Sequence, residues 1–324
     1  MTMRLEYQVL AAFALDLLLG DPRWLPHPVK LIGRCAAAVE TPLRKAIPFT
    51  CVAGGVAWVL VVGAAAGITW GALAGAERLH PVAGDVVSVV LLYTTFAARD
   101  LADHSRRVLQ ALRASDLPEA RRRVSMIVGR DTASLDEPGV VRATVESVAE
   151  STVDGVTAPI FFAVAGGPAA AMAYKAVNTL DSMFGHKDER YLKFGWASAR
   201  LDDAANFIPA RLTAPLVAFT AALMGYRPLR ALRVLVRDGR KHASPNAGLA
   251  EAAVAGALNV QLGGLNFYGG EPHNGALIGD PNEPLSREHI ARANMLMLGT
   301  ALLALLLFIG LRVLVLAWWQ GGRS

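Results

Sequence analysis

Glu146, Glu150 and Asp154 follow one another at intervals of four residues. On an α-helix that spacing puts three carboxylates on one face, the outer two about 12 Å apart along the axis. Like charges so placed repel by about 0.2–0.5 kcal/mol per pair, and Arg142 is the nearest cation in sequence to offset them. A divalent cation would offset them more fully, because Mg²⁺ takes one or two carboxylates together with phosphate oxygens. A hydrated acidic stripe is the alternative reading of the same spacing.

Three further polar clusters interrupt apolar sequence. Lys175, Asn178 and Asp181 share a helix face, and Lys187 and Arg190 follow. Arg200, Asp202, Asp203 and Asn206 form the next, with Asp203 three residues after Arg200. Ser244, Asn246 and Glu251 form the last; Ser244 reads as a helix N-cap with Pro245 at the first helical position. Charges beside membrane segments are costly unless paired or functional. Arg can grip phosphate oxygens bidentately and Lys can act as a point charge. For Lys175 and Arg200 the competing account is structural, namely buried ion pairs that hold helices together. Carboxylates for a metal, cations for phosphates and amides for orientation suit phosphoryl or acyl-phosphate chemistry. No G-x-x-x-x-G-K-[ST], G-x-G-x-x-G, H-E-x-x-H or G-x-S-x-G motif is present, and the seven histidines are scattered.

These clusters sit in a chain of 324 residues that is 53% apolar and only 18% charged, with a mean hydropathy of +0.37. Such composition excludes disorder and a disulfide scaffold. Cys35 and Cys51 lack C-x-x-C spacing and read as buried free thiols. Residues 46–76 and 293–311 lack Asp, Glu, Lys and Arg, and each is long enough to cross the hydrocarbon core; the second continues to the interfacial pair Trp318-Trp319. The expected spans are 5–20, 46–76, 81–98, 207–226 and 293–319. The first is read as a retained helix and not a signal peptide. Segment 155–174 holds Gly166-Gly167-Pro168 and is expected to be broken or re-entrant, with a kinked spanning helix as the alternative. Basic residues crowd 21–45 and 99–149 whereas 75–80 has Arg78 alone, so the two rich segments are expected in the cytoplasm. Arg121–Arg123 lacks interleaved aromatics, and no nucleic-acid partner is expected. The fold class is all-α, one polytopic integral membrane domain over residues 1–324.

Glu146-Ser-Val-Ala-Glu150-Ser-Thr-Val-Asp154-Gly155, Gly166-Gly167-Pro168 and Tyr174-Lys175-Ala-Val-Asn178-Thr-Leu-Asp181 together form a recognisable pattern. With Glu189-Arg190-Tyr191, Phe194-Gly195-Trp196, Arg200-Leu-Asp202-Asp203-Ala-Ala-Asn206 and Ser244-Pro245-Asn246-Ala-Gly248, the chain resembles the CobD/CbiB family of integral-membrane adenosylcobinamide-phosphate synthases. Asp16, Gly20-Asp21-Pro22 and His27-Pro28-Val29 extend the likeness to nearly the whole chain. The resemblance implies ATP-dependent amide ligation of (R)-1-amino-2-propanol, or its O-phosphate, to a propionate of adenosylcobyric acid, with Mg²⁺ required and no tightly bound organic cofactor. Glu150, Asp154, Asp181, Asp202 and Asp203 are then the expected catalytic residues. Lys175, Asn178, Lys187, Arg190, Arg200, Asn206, Ser244, Asn246 and Glu251 are the expected binding residues, and Glu146, Glu150 and Asp154 the expected metal ligands. It further implies an inner-membrane location, an active site facing the cytoplasm and association with other late cobalamin-pathway membrane enzymes. Glu271-Pro272-His273-Asn274 departs from the pattern and carries no role. A non-catalytic AmpE-like membrane protein and a corrinoid permease are the rival readings.

Overall fold

The computed structural model describes residues 3–22, 27–186 and 188–321. In chain order the helices are α1 (Leu5–Leu19), α2 (Pro28–Ala46), α3 (Thr50–Leu79), α4 (Pro81–Tyr93), α5 (Ala98–Arg113), α6 (Leu117–Val124) and α7 (Glu137–Ser151). A π-helical turn, Thr152–Thr157, leads into α8 (Ala158–Phe184), followed by α9 (Trp196–Leu223), α10 (Pro228–Asp238) and α11 (Ala247–Leu258). Four short strands, β1 (Gln261–Leu262), β2 (Leu265–Tyr268), β3 (Glu271–Asn274) and β4 (Ile278–Gly279), precede α12 (Glu288–Gly321). Local chemistry sets several starts. His27 and His80 accept through Nδ1 from Val29 and Val82 N–H at 3.3 and 3.2 Å, each ahead of a proline at the first helical position. Asp116 and Asp136 do the same for Glu119 and Gly139 N–H.

The chain is an all-α polytopic membrane protein. Among the described residues five helical stretches are long and apolar enough to cross a bilayer: Thr50–Leu79, Pro81–Arg113, Glu137–Phe184, Trp196–Leu223 and Glu288–Gly321. Ile68, Trp70, Leu306 and Leu314 on α3 and α12 are exposed, as lipid-facing side chains are. The span expected at 5–20 is not among the five: α1 has 15 residues, a rise of about 22 Å against a core of about 30 Å. Cys35 and Cys51 are exposed, which corrects their reading as buried thiols.

The chain folds as two compact units. The first comprises Met1–Ala97, Ala158–Asn206 and Leu305–Ser324; the second, Ala98–Thr157 and Phe207–Ala304. In the first, α3 packs on α2, α4 and α8 around Ala36, Ala57, Leu180, Phe184 and Phe194. A Cβ on Gly54 would overlap the Phe194 carbonyl, so a larger residue there would push the 188–195 loop off α3. The break in α8 falls where Gly166-Gly167-Pro168 predicts it: Gly166 (φ −141°) and Gly167 (φ 69°) leave the helical region. Only glycine takes the second conformation without strain. Pro168 has no N–H for the Val164 carbonyl, and Arg312 Nη1 supplies one at 2.9 Å. The same guanidinium meets Glu6 at 3.2 Å, with Arg4 3.3 Å from the other carboxylate oxygen.

In the second unit, β2 and β3 pair antiparallel within the outer pair β1–β4 to make one long hairpin with its tip at Gly269-Gly270. The sequence has no alternation to announce it. Asp238, at the end of α10, fastens β4 by accepting from Gly279 N–H at 2.9 Å while Arg237 and Lys241 hold its charge.

Arg312→Met removes one of the two cations beside buried Glu6, leaving Arg4, and also removes the donor to Val164. It should lower stability by about 1–2 kcal/mol, the cost of a weakened charge pair and a carbonyl left without its donor. Adding Glu6→Gln should recover part of the loss, measured by thermal unfolding in detergent; no recovery would contradict the pairing.

Candidate functional site

The second unit holds the acidic helix. Glu146 is 4% exposed: Oε1 accepts from Gly263 N–H at 2.6 Å, and Oε2 has no hydrogen-bond partner among the described residues but lies 2.6 Å from Arg130 Nη1 in an ion pair. Arg142 does not offset the carboxylates. It donates to the Gly263 and Leu265 carbonyls at 2.5 and 2.8 Å and to Asn266 Oδ1 at 3.2 Å. Arg130 also donates to Asn266 Oδ1 at 2.8 Å, and Asp131 accepts from Gly270 N–H at 2.7 Å. These side chains fasten the hairpin to α7, and Glu146 is part of that junction.

The even stripe is also interrupted. The π turn begins right after α7 and adds backbone per turn, so Asp154 does not continue the register of Glu146 and Glu150. Asp154 is half-buried on that turn, while Glu150 is exposed at the end of the buried run 143–149. Among the described residues no three His, Cys, Asp or Glu side chains gather into a metal site. A resident metal held by Glu146, Glu150 and Asp154 therefore does not fit these side chains. The remaining role for Mg²⁺ is as a companion of a phosphate substrate, which needs only one or two carboxylates.

α11 brings the fourth cluster to the same unit. Every residue from 250 to 260 is buried, and Glu251 is the one acid among them. Its carboxylate lies 3.8 Å from His242 Nε2. Burial raises the Glu251 carboxyl well above the ordinary range, and the charges of Glu150 and Glu146 raise it further against the pull of Arg130. Asn246 is buried and accepts from Arg211 at 3.1 Å. Ser244 caps differently from expectation: α11 starts at Ala247 and Pro245 lies outside it, while Ser244 Oγ accepts from Asn246 and Ala247 N–H, both at 3.3 Å.

The first unit holds the other two clusters. Asp202 and Asn206 lie on one face of α9 and are buried. Asn206 Nδ2 donates to Asp202 at 3.0 Å, Asn178 Nδ2 donates to it at 3.4 Å, and Tyr174 hydroxyl donates to Asn206 Oδ1 at 2.8 Å. Asn206 is thereby bonded at both ends and positions Asp202. Asp181 and Asp203 act electrostatically on Asp202. Lys175, Asp181 and Asp203 are half-buried. Arg200 is exposed and, among the described residues, makes no ion pair with Asp203, contrary to the spacing. Arg190 is drawn to buried Glu40 at 3.1 Å, beside Arg44 at 2.9 Å, and Arg44 stacks over Phe194 with 4.2 Å to the ring centroid. Lys187 lies outside the described residues.

The family described as CobD/Cbib protein matches residues 9–297. The chain belongs to the CobD/Cbib family. It is 55% identical over 299 residues to the cobalamin biosynthesis protein CobD of Geobacter metallireducens, which covers 92% of this chain and 94% of that one. It is 48% identical over 304 residues to the cobalamin biosynthesis protein CbiB of Salmonella choleraesuis, covering 93% and 95%. The CobD of Leptospira interrogans is 44% identical over 305 residues, covering 94% and 97%. No solved structure matches.

Sequence reasoning missed Arg130, His242, Tyr174 and Glu40 in this CobD/Cbib chain. Arg130 and His242 sit in connections with no periodic relation to their partners. Tyr174, by contrast, stands directly beside Lys175, and a buried hydroxyl next to a polar face was a usable signal.

Glu251 has the sharper pH consequence. Its folded-state value lies above that of the unfolded chain, so its contribution to stability is complete below the ordinary Glu range and declines as pH rises toward the raised value. Glu251→Gln should flatten that decline in the unfolding temperature. An equally steep decline in the variant would contradict the buried, crowded carboxyl.

Proposed function

We propose that the protein acts in cobalamin biosynthesis as an adenosylcobinamide-phosphate synthase. The near-full-length likeness to relatives named for that pathway carries the reading. A corrinoid propionate is a poor acyl donor. Attack of its carboxylate oxygen on the γ-phosphorus of ATP forms an acyl phosphate and releases ADP; the amine of aminopropanol or its phosphate then displaces inorganic phosphate and forms the amide. Both steps ask for cations at developing phosphate charge, and the second also asks for a carboxylate that takes a proton from the substrate ammonium so that the neutral amine can attack.

In the second unit Glu150 and Asp154 are the groups available to a nucleotide-bound Mg²⁺, with Glu251 behind them. In the first, Lys175 and exposed Arg200 face the phosphate-bearing substrate, and Asp202, held by Asn178 and Asn206, orients the amine together with Asp181 and Asp203. Arg190, tied to Glu40, fixes the connection between α8 and α9. The enzyme lies in the inner membrane with these groups on the cytoplasmic side, where ATP is available.

In proteoliposomes, ATP consumption should require both adenosylcobyric acid and the amine. Glu150→Gln and Asp154→Asn should each lower turnover about a hundredfold with folded protein retained. Arg200→Lys should raise KM for the phosphate-bearing substrate with normal insertion. Corrinoid accumulation inside the vesicles with no ATP-dependent amide would favour a permease and sink the proposal.

A further inference from the structure

Helix α10 presents a face that the protein leaves uncovered. Ala231, Val234 and Asp238 are buried in the second unit against α11, where a Cβ on Gly256 would lie 2.6 Å from the Arg230 carbonyl. The opposite face carries Leu229, Leu232 and Val236, exposed by 77%, 42% and 85%. These positions, i, i+3 and i+7, form one apolar stripe. The flanking cations divide in a telling way. Arg227 pairs with Glu283, Arg230 bonds Asn259, and Arg237 holds Asp238 and Asp280. Arg233 and Arg240 are exposed and make no ion pair among the described residues. Arg233 directly follows Leu232 on α10, and Arg240 stands two residues past its end.

We infer that α10 lies in the plane of the membrane interface, with Leu229, Leu232 and Val236 among the acyl chains and Arg233 and Arg240 on anionic lipid headgroups. Two observations choose the bilayer over a protein partner. The first is continuity: residues 224–227 alone separate α10 from Leu223, the exposed last residue of membrane-spanning α9. A helix resuming so soon stays near headgroup depth. The second is charge. Six basic residues fall within 227–241 against the single acid Asp238, the excess that draws a segment to the anionic cytoplasmic leaflet. An apolar stripe edged by arginines, with low hydrophobicity elsewhere, is the pattern of a helix that lies on a membrane and does not cross it. Because α11 packs on α10, this anchor sets the depth of Glu251.

The test uses the full-length protein with Cys35 and Cys51 replaced by Ser, a single Cys at 229, 232 or 236, and a nitroxide label. The protein is placed in nanodiscs of phosphatidylcholine with or without phosphatidylglycerol. Collisional relaxation by oxygen, which partitions into lipid, should exceed that by a water-soluble nickel chelate at all three positions. With Arg233→Glu and Arg240→Glu together, the phosphatidylglycerol-dependent part of the nickel protection should be lost while α10 stays folded by circular dichroism. Strong nickel relaxation at the three positions would overturn the inference, placing the stripe in water. So would an immobilised label shielded from both reagents, placing it under another protein surface or a second copy.

Discussion

A carboxylate taken out of water keeps its charge only beside a cation or several hydrogen-bond donors, and stranding it costs about 3–5 kcal/mol. Each unit of this protein is tied together by carboxylates that meet this demand. Glu6 and Arg312, 306 residues apart, join α1 to α12 and also repair the carbonyl that Pro168 leaves without a donor. Glu40 gathers Arg44 and Arg190 across 150 residues and so pins the loop between α8 and α9. Glu146 meets Arg130 and the Gly263 N–H, and the hairpin hangs from that junction. In a membrane protein, where apolar burial between helices gains little over lipid, such junctions add to what close helix packing supplies.

The same requirement separates fastening from chemistry. Glu146 is held by the Gly263 N–H and the Arg130 ion pair, whereas Glu150, one turn on, is exposed and acts electrostatically on Glu251 together with Arg130. In the proposed reaction these carboxyls meet an arriving positive charge, such as a nucleotide's metal or a substrate ammonium. In the first unit Asp202 is held by amides, which orient it without neutralising it. An amide cage suits a carboxylate that must meet a cation or a proton during a reaction; a guanidinium would have quenched it.

Much of the architecture is legible in the sequence because its causes are local. Uncharged runs mark α3 and α12, and Gly166-Gly167-Pro168 marks the break in α8 because neither Pro nor a left-handed Gly continues a helix. The polar clusters are equally legible as clusters. Their internal pairing is not. The four-residue spacing of Glu146, Glu150 and Asp154 assumes a regular helix, and the π turn at 152–157 ends that regularity without a distinctive residue. Arg130 reaches Glu146 from a connection 16 residues upstream, and no periodicity encodes that reach. The hairpin at 261–279 is held by side chains of α7 and its preceding loop, so its own strands need little β pattern. α1 looked like a span because its residues are apolar; its length of 15 residues is what disqualifies it.

The fate of one oxygen atom tests the chemistry most directly. Adenosylcobyric acid labelled with ¹⁸O in its free propionate, turned over with ATP and aminopropanol phosphate in reconstituted membranes, should yield inorganic phosphate bearing one labelled oxygen per amide formed. The label passes to phosphate only if the carboxylate attacked the nucleotide before the amine arrived. Amide formed with unlabelled phosphate would contradict activation through an acyl phosphate, and with it the roles proposed for Lys175, Arg200, Glu150 and Asp154.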